Sequence, residues 1–154
     1  MAGTCESLTA LFGRILLSAI FLMSAFGKIA DWSGTTHHME EKGMVATSFF
    51  LAGALALEAL GGLSVLLGFF ARWGAAALIV FVVAVTSVFH NFWVEDGPAR
   101  MNQMQHFMKN LALTGGLLMV AALGPGGFSF DHRRRTDQEV RPATARAERP
   151  VMVG

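Results

Sequence analysis

Several residue types are scarce, and each scarcity excludes a class of chemistry. Cys5 is the only cysteine, which rules out a disulfide within the chain, a Cys-x-x-Cys redox pair and a thiolate metal site. Tyrosine is absent, and no glycine-rich phosphate loop follows a strand-like run, so soluble nucleotide chemistry has no support. Charged residues make up only 15% of the chain, against roughly 25% in an average soluble domain. The four prolines lie outside every long apolar run. Six of the twelve Lys/Arg residues are confined to the last segment, namely Arg133, Arg134, Arg135, Arg141, Arg146 and Arg149. So short a basic run gives nucleic-acid binding little support.

What remains is apolar. Of 154 residues, 53% are hydrophobic, and the mean hydropathy is +0.49. A chain of this size buries only about 70% of its surface on folding, too little to hide that much hydrocarbon from water. The apolar residues fall into four runs, from about Leu8 to Ile29, Ala46 to Phe70, Trp73 to Trp93 and His106 to Leu123, each near the ~20 residues a spanning helix needs. The runs are too long and too continuous for strands. The composition and spacing predict an all-α protein, a four-helix transmembrane bundle over residues 1–131. A flexible basic tail over 132–154 is expected to follow it. Trp32, Trp73 and Trp93 each fall at a run's end, where an amphipathic ring suits the headgroup layer. Gly124-Pro125-Gly126-Gly127 is a stop signal for the last helix.

Charge placement predicts orientation. The tail arginines and Arg72 belong on the cytoplasmic face, which places both termini there and makes the chain N-in/C-in in a bacterial plasma (inner) membrane. The loops carrying Asp31, Glu40, Glu41, Glu95 and Asp96 then face outward. Arg14, an apolar run and Ala25-Phe26-Gly27 also imitate a signal peptide, but the run is long enough to cross and Lys28 follows at once.

Ionisable residues within such runs usually face the bundle interior or a cavity. Arg14, Ser18, Ala25 and Lys28 form one stripe on the first helix at 3.6 residues per turn. Glu58 lies near the middle of the second, with Ala54, Gly61 and Gly62 on its side, where a neighbour can approach closely. A bare carboxylate at mid-bilayer is costly, and Arg14 is the expected partner. The pair either locks two helices together, or Glu58 accepts a proton or binds a ligand. Toward the outer side, Lys28, His90, Asn91, His106, Lys109 and Asn110 share a depth. They either snorkel to the interface or form a pocket for a polar headgroup, such as a quinone ring whose carbonyls need donors. Glu58 and His90 are the candidate catalytic residues, and Arg14, Lys28, His106, Lys109 and Asn110 the candidate ligand-binding ones. His37-His38 with Glu40 and Glu41 is only a weak metal hint, and neither metal nor haem is expected.

Leu11-Phe12-Gly13-Arg14 leading to Ser24-Ala25-Phe26-Gly27-Lys28 resembles the opening helix of DoxX-like membrane proteins. Leu57-Glu58-Ala59-Leu60-Gly61-Gly62 and Leu67-Gly68-Phe69-Phe70-Ala71-Arg72 resemble the second helix and its turn. Phe89-His90, Phe107-Met108-Lys109-Asn110-Leu111 and the segment from Gly124 to Asp131 resemble later parts, so the resemblance spans roughly residues 8–131 in order. It implies a four-helix integral membrane protein linked to quinol oxidase, thiosulfate:quinone oxidoreduction or thiol oxidative stress. Arg14, Lys28, Glu58, His90, Lys109 and Asn110 are the family-pattern residues. Three functions follow as expectations: an accessory or anchoring subunit of a membrane redox complex, a quinone-linked oxidoreductase component, or a small transporter. The expected partners are the lipid bilayer, redox-complex proteins or a second copy of the chain.

Overall fold

The computed structural model describes residues 3–136 and 138. Its elements are α1 (Thr4–Ala30), α2 (Trp32–Glu41), α3 (Thr47–Leu67), α4 (Ala71–Phe89), a 3-10 turn (Phe92–Val94) and α5 (Gly97–Leu123). No strand occurs among the described residues. The helices α1, α3, α4 and α5 are long and apolar enough to cross a membrane, matching the four apolar runs. The protein is therefore an all-α integral membrane protein whose outward faces, with Leu16, Met23, Phe26, Phe49 and Val80 exposed, contact lipid hydrocarbon.

Packing follows chain order. α1 packs on α3, α3 on α4 and α4 on α5, whereas α1 and α5 touch only marginally. The core joins Phe21, Val65, Ala75, Leu78, Phe81, Val82 and Leu117. Small residues set the spacing, as expected where apolar helices meet inside lipid. A Cβ on Gly61 would come within 2.7 Å of Leu78 on α4, and one on Gly62 within 3.1 Å of Leu22 on α1. The two glycines thus serve two different neighbours.

Two boundaries differ from the hydropathy reading. The loop between the first two spans contains α2, opened by Asp31, whose side chain accepts from the Gly34 N–H at 3.0 Å. Only Met39 of α2 is buried, so the segment carries little apolar signal. α5 starts nine residues before His106, at Gly97, with Pro98 in its first turn, where a proline costs no intrahelical bond. Its first turns protrude beyond the apolar stretch.

The far end of α3 stops at Gly68, whose φ of +66° is left-handed and glycine-favoured. The chain after α5 crosses this same end and returns as a short helical stretch over residues 130–136. Asp131 ties it down. Its carboxylate accepts from the Phe70 N–H at 2.9 Å and the Ala71 N–H at 3.0 Å, and its own N–H donates to the Gly68 carbonyl at 2.9 Å. Two donors that α4 leaves unpaired at its start are thus satisfied from 60 residues away. Gly126 and Gly127 lie against Ala10 and Ser7, so the start of α1 and the end of α5 share one end of the bundle, opposite α2. Residue 137 and residues 139–154, most of the expected tail, lie outside the described residues.

Candidate functional site

The ion pair inside the bundle joins Glu58 to Lys28. Lys28 Nζ lies 2.8 Å from Glu58 Oε2 and 2.9 Å from Oε1, and it donates to Ser24 Oγ at 2.6 Å. Ser24 in turn donates to Glu58 Oε1 at 2.9 Å. Glu58 is almost fully buried, whereas the Lys28 side chain keeps 23% of its exposure. The ammonium and the hydroxyl give the buried carboxylate the partners that a bare one inside a bundle would lack.

A cavity of about 200 Å³ adjoins the pair, walled by α1, α3, α4 and α5. Lys28, Glu58, His90, Lys109 and Asn110 all line it, together with Ser24 and an apolar surround that includes Phe21, Phe81 and Val82. Lys28 and Lys109 line the cavity against one acidic residue, Glu58, so its lining is formally basic and suits an acceptor-bearing or anionic group. Asn110 is buried and donates through Nδ2 to Thr86 Oγ1 at 2.9 Å. Thr86 donates to the Val82 carbonyl at 2.6 Å. This chain of bonds locks α4 to α5 and fixes the Asn110 amide.

At the cavity's α2 end, the His90 and His106 rings stack with centroids 4.9 Å apart and planes inclined by 14°. His90 Nδ1 lies 2.9 Å from Gln103 Oε1. An amide oxygen only accepts, so Nδ1 is the donor in this contact. Lys109 Nζ donates to His106 Nδ1 at 3.2 Å. The stacked rings thus join two separate hydrogen-bonded pairs, His90–Gln103 and His106–Lys109, beside the cavity.

The DoxX family model matches residues 9–91, more than half of the chain. The chain belongs to the DoxX family. A second family model, SURF4, matches residues 59–136. The chain is 36% identical to the inner membrane protein YqjF of Escherichia coli (strain K12) over 126 residues, covering 82% of this chain and 92% of that protein. It is 29% identical to the inner membrane protein YphA of the same organism over 131 residues, covering 85% and 94%. The Surfeit locus protein 4 homolog of Schizosaccharomyces pombe is 28% identical over 129 residues, covering 81% of this chain but 37% of that protein. No solved structure matches.

In this DoxX-family chain Arg14 is not the partner of Glu58, contrary to the expectation from depth alone. Side chains on a helix lean toward its N-terminus. α1 and α3 are antiparallel, so Arg14 and Lys28 lean toward the terminus-bearing end and Glu58 leans away from it. Glu58 therefore meets the side chain descending from Lys28, and Arg14 turns from both. Arg14 is 2% exposed; its Nη2 donates to the Phe128 carbonyl, and its guanidinium lies against Gly68. It holds the closing segment and stands apart from the polar cavity.

His106 lies beside the cavity and contacts it through His90. The stripe Arg14, Ser18 and Ala25 is buried, as its spacing requires. His37 and His38 contact Glu41 across the exposed face of α2, with His37 Nε2 at 3.6 Å and His38 Nδ1 at 3.3 Å. No group of three His, Cys, Asp or Glu able to hold a metal ion occurs among the described residues. Sequence reasoning gave no role to Ser24, Gln103 or Asp131. Ser24 stands one turn before Lys28, which is a usable signal. Gln103 lay in what read as a loop.

Proposed function

We propose that this chain is an accessory component of a membrane redox complex in the bacterial inner membrane and that its own contribution is to hold a quinone headgroup. The cavity beside the Lys28–Glu58 pair carries the proposal. It gathers Lys28, Lys109, Asn110 and His90 around a space of about 200 Å³. A quinone presents two carbonyl acceptors, which ammonium donors satisfy. His90 and Glu58 are the groups able to exchange a proton with a bound headgroup. Electron transfer is left to a partner, because the sequence carries neither a thiol pair nor a nucleotide motif.

Purification in mild detergent, followed by solvent extraction and mass analysis, tests this. Wild type is expected to retain quinone near one per chain. His90→Ala and Lys109→Ala are each expected to retain about tenfold less, the effect of losing ~1.5 kcal/mol of hydrogen bonding to the ligand. Absence of quinone from wild type, or equal retention in all three proteins, rejects the proposal.

The N-in/C-in orientation has its own test. Cys5 is exposed at the start of α1 and is the chain's only cysteine. A membrane-impermeant maleimide is expected to label it in inverted vesicles and not in intact spheroplasts. The reverse pattern refutes the orientation.

A further inference from the structure

The polar cavity does not stand alone. A second chamber, of about 470 Å³, lies between α2, α3 and α4. Its walls are hydrocarbon, supplied by Met39, Phe50, Leu57, Phe81, Val88 and Phe89. Lys28, Phe81, Val85 and His90 line both spaces. The polar and apolar chambers therefore meet at Lys28 and His90, and together they have the shape of an amphiphile: a small head with several donors and a larger, mostly apolar tail, with Thr35 and His38 at its α2 side.

Two features shape this space. Gly53 lies inside α3 on the chamber wall, and a Cβ there would meet nothing within 4 Å. Its lack of a side chain leaves the chamber open at this point. The second feature is α2. Its one buried residue, Met39, faces the chamber beside Thr35 and His38, and the His38 ring sits 5.8 Å from that of Phe89. A ten-residue helix with so little apolar content is held here as a roof over the chamber.

We infer that the chamber under α2 binds the hydrocarbon tail of the same molecule whose headgroup occupies the polar cavity; this rests on the headgroup reading above. At ~30 Å³ for a group the size of water or a methylene, the chamber takes about fifteen carbons, roughly three isoprene units. A longer tail continues into the lipid. The ligand class is thus a tailed quinone, and affinity is expected to rise with tail length up to about that limit and then to level off.

The full chain in lipid nanodiscs allows head and tail to be read separately. A quinone with a ten-carbon tail bearing a mid-chain diazirine is photolysed, and labelled peptides are mapped. Its tailless dimethoxy-methyl-benzoquinone counterpart is tested for a rise in Tm. Label is expected on Met39, Leu51 or Phe89, which line the chamber without facing the lipid, displaced by excess unlabelled tailed quinone. Gly53→Leu, which adds bulk where space is open, is expected to reduce that label about tenfold while folding normally and keeping the Tm response to the tailless compound. Label spread equally over lipid-facing Leu16 and Phe26, with the tailless response intact, overturns the tail chamber and leaves the headgroup reading standing. Chamber labelling with no tailless response supports the chamber and removes the headgroup reading. Failure of both overturns both.

Discussion

Lys28→Met is expected to destabilise the bundle by about 3 kcal/mol, the lower end of the ~3–5 kcal/mol typical when one partner of a buried ion pair is removed. The lower end applies because Lys28 is partly exposed. Its loss leaves Glu58 with Ser24 as its remaining donor. Glu58→Gln is expected to cost less, because an amide keeps an acceptor for Lys28 and carries no charge to desolvate. The double variant Lys28→Met/Glu58→Met is expected to return to within ~1 kcal/mol of wild type, since replacing a whole buried pair by apolar groups is often neutral or stabilising. Ser24 can then bond to the carbonyl one turn back along α1. Denaturant or thermal unfolding in detergent checks all three. A double variant whose destabilisation equals the sum of those of Lys28→Met and Glu58→Met alone would show that the two residues are not energetically coupled. Recovery of stability without recovery of quinone retention would separate the pair's structural role from its role at the cavity.

Gly68→Ala is expected to be the most damaging glycine substitution at the terminus-bearing end. The backbone there has φ of +66°, which costs an L-residue about 1–2 kcal/mol. The new methyl would also run into the Arg14 guanidinium and the Ser129 side chain, with the Ser129 Cα 3.1 Å away. Overpacking of this kind adds roughly 1–3 kcal/mol. The displaced closing segment carries Asp131, so the caps on Phe70 and Ala71 weaken with it. Gly53→Ala is the control. Its position is inside α3 with open space around the Cβ, and it is expected to stabilise by ~0.4–1 kcal/mol through the unfolded chain. Opposite signs for two glycine-to-alanine changes, read as shifts in Tm, are the expected result. A neutral Gly68→Ala would mean that the closing segment does not dock on the end of α3.

Much of the site was legible from residue chemistry. Two lysines, a glutamate, a histidine and an asparagine in apolar runs must face inward or toward an interface, because lipid offers them no partner. Lys28, Glu58, His90, Lys109 and Asn110 do line one cavity. Pairing was less legible. Depth arithmetic treats a side chain as lying level with its Cα, whereas Arg14, Lys28 and Glu58 each reach about a turn along their helices, in directions set by chain polarity. That difference selects Lys28 over Arg14. Asp131 illustrates a second limit. Nothing local marks it as the cap of a helix that begins 60 residues earlier; only the crossing of the closing segment brings it to Phe70 and Ala71.

The sequence by itself determined that this is a four-span helical membrane protein, because hydrocarbon runs of that length have no other stable home than a bilayer. It also determined which polar residues had to be accounted for within those spans. Tertiary structure alone decided which of them meet. The antiparallel setting of α1 and α3 pairs Lys28 with Glu58, the return of the chain over Gly68 sequesters Arg14, and the docking of α2 over α3 and α4 gives the polar cavity an apolar neighbour. Partner choice depends on the direction in which side chains lean and on which faces come together. Both are properties of the packed bundle and neither is carried by any one helix.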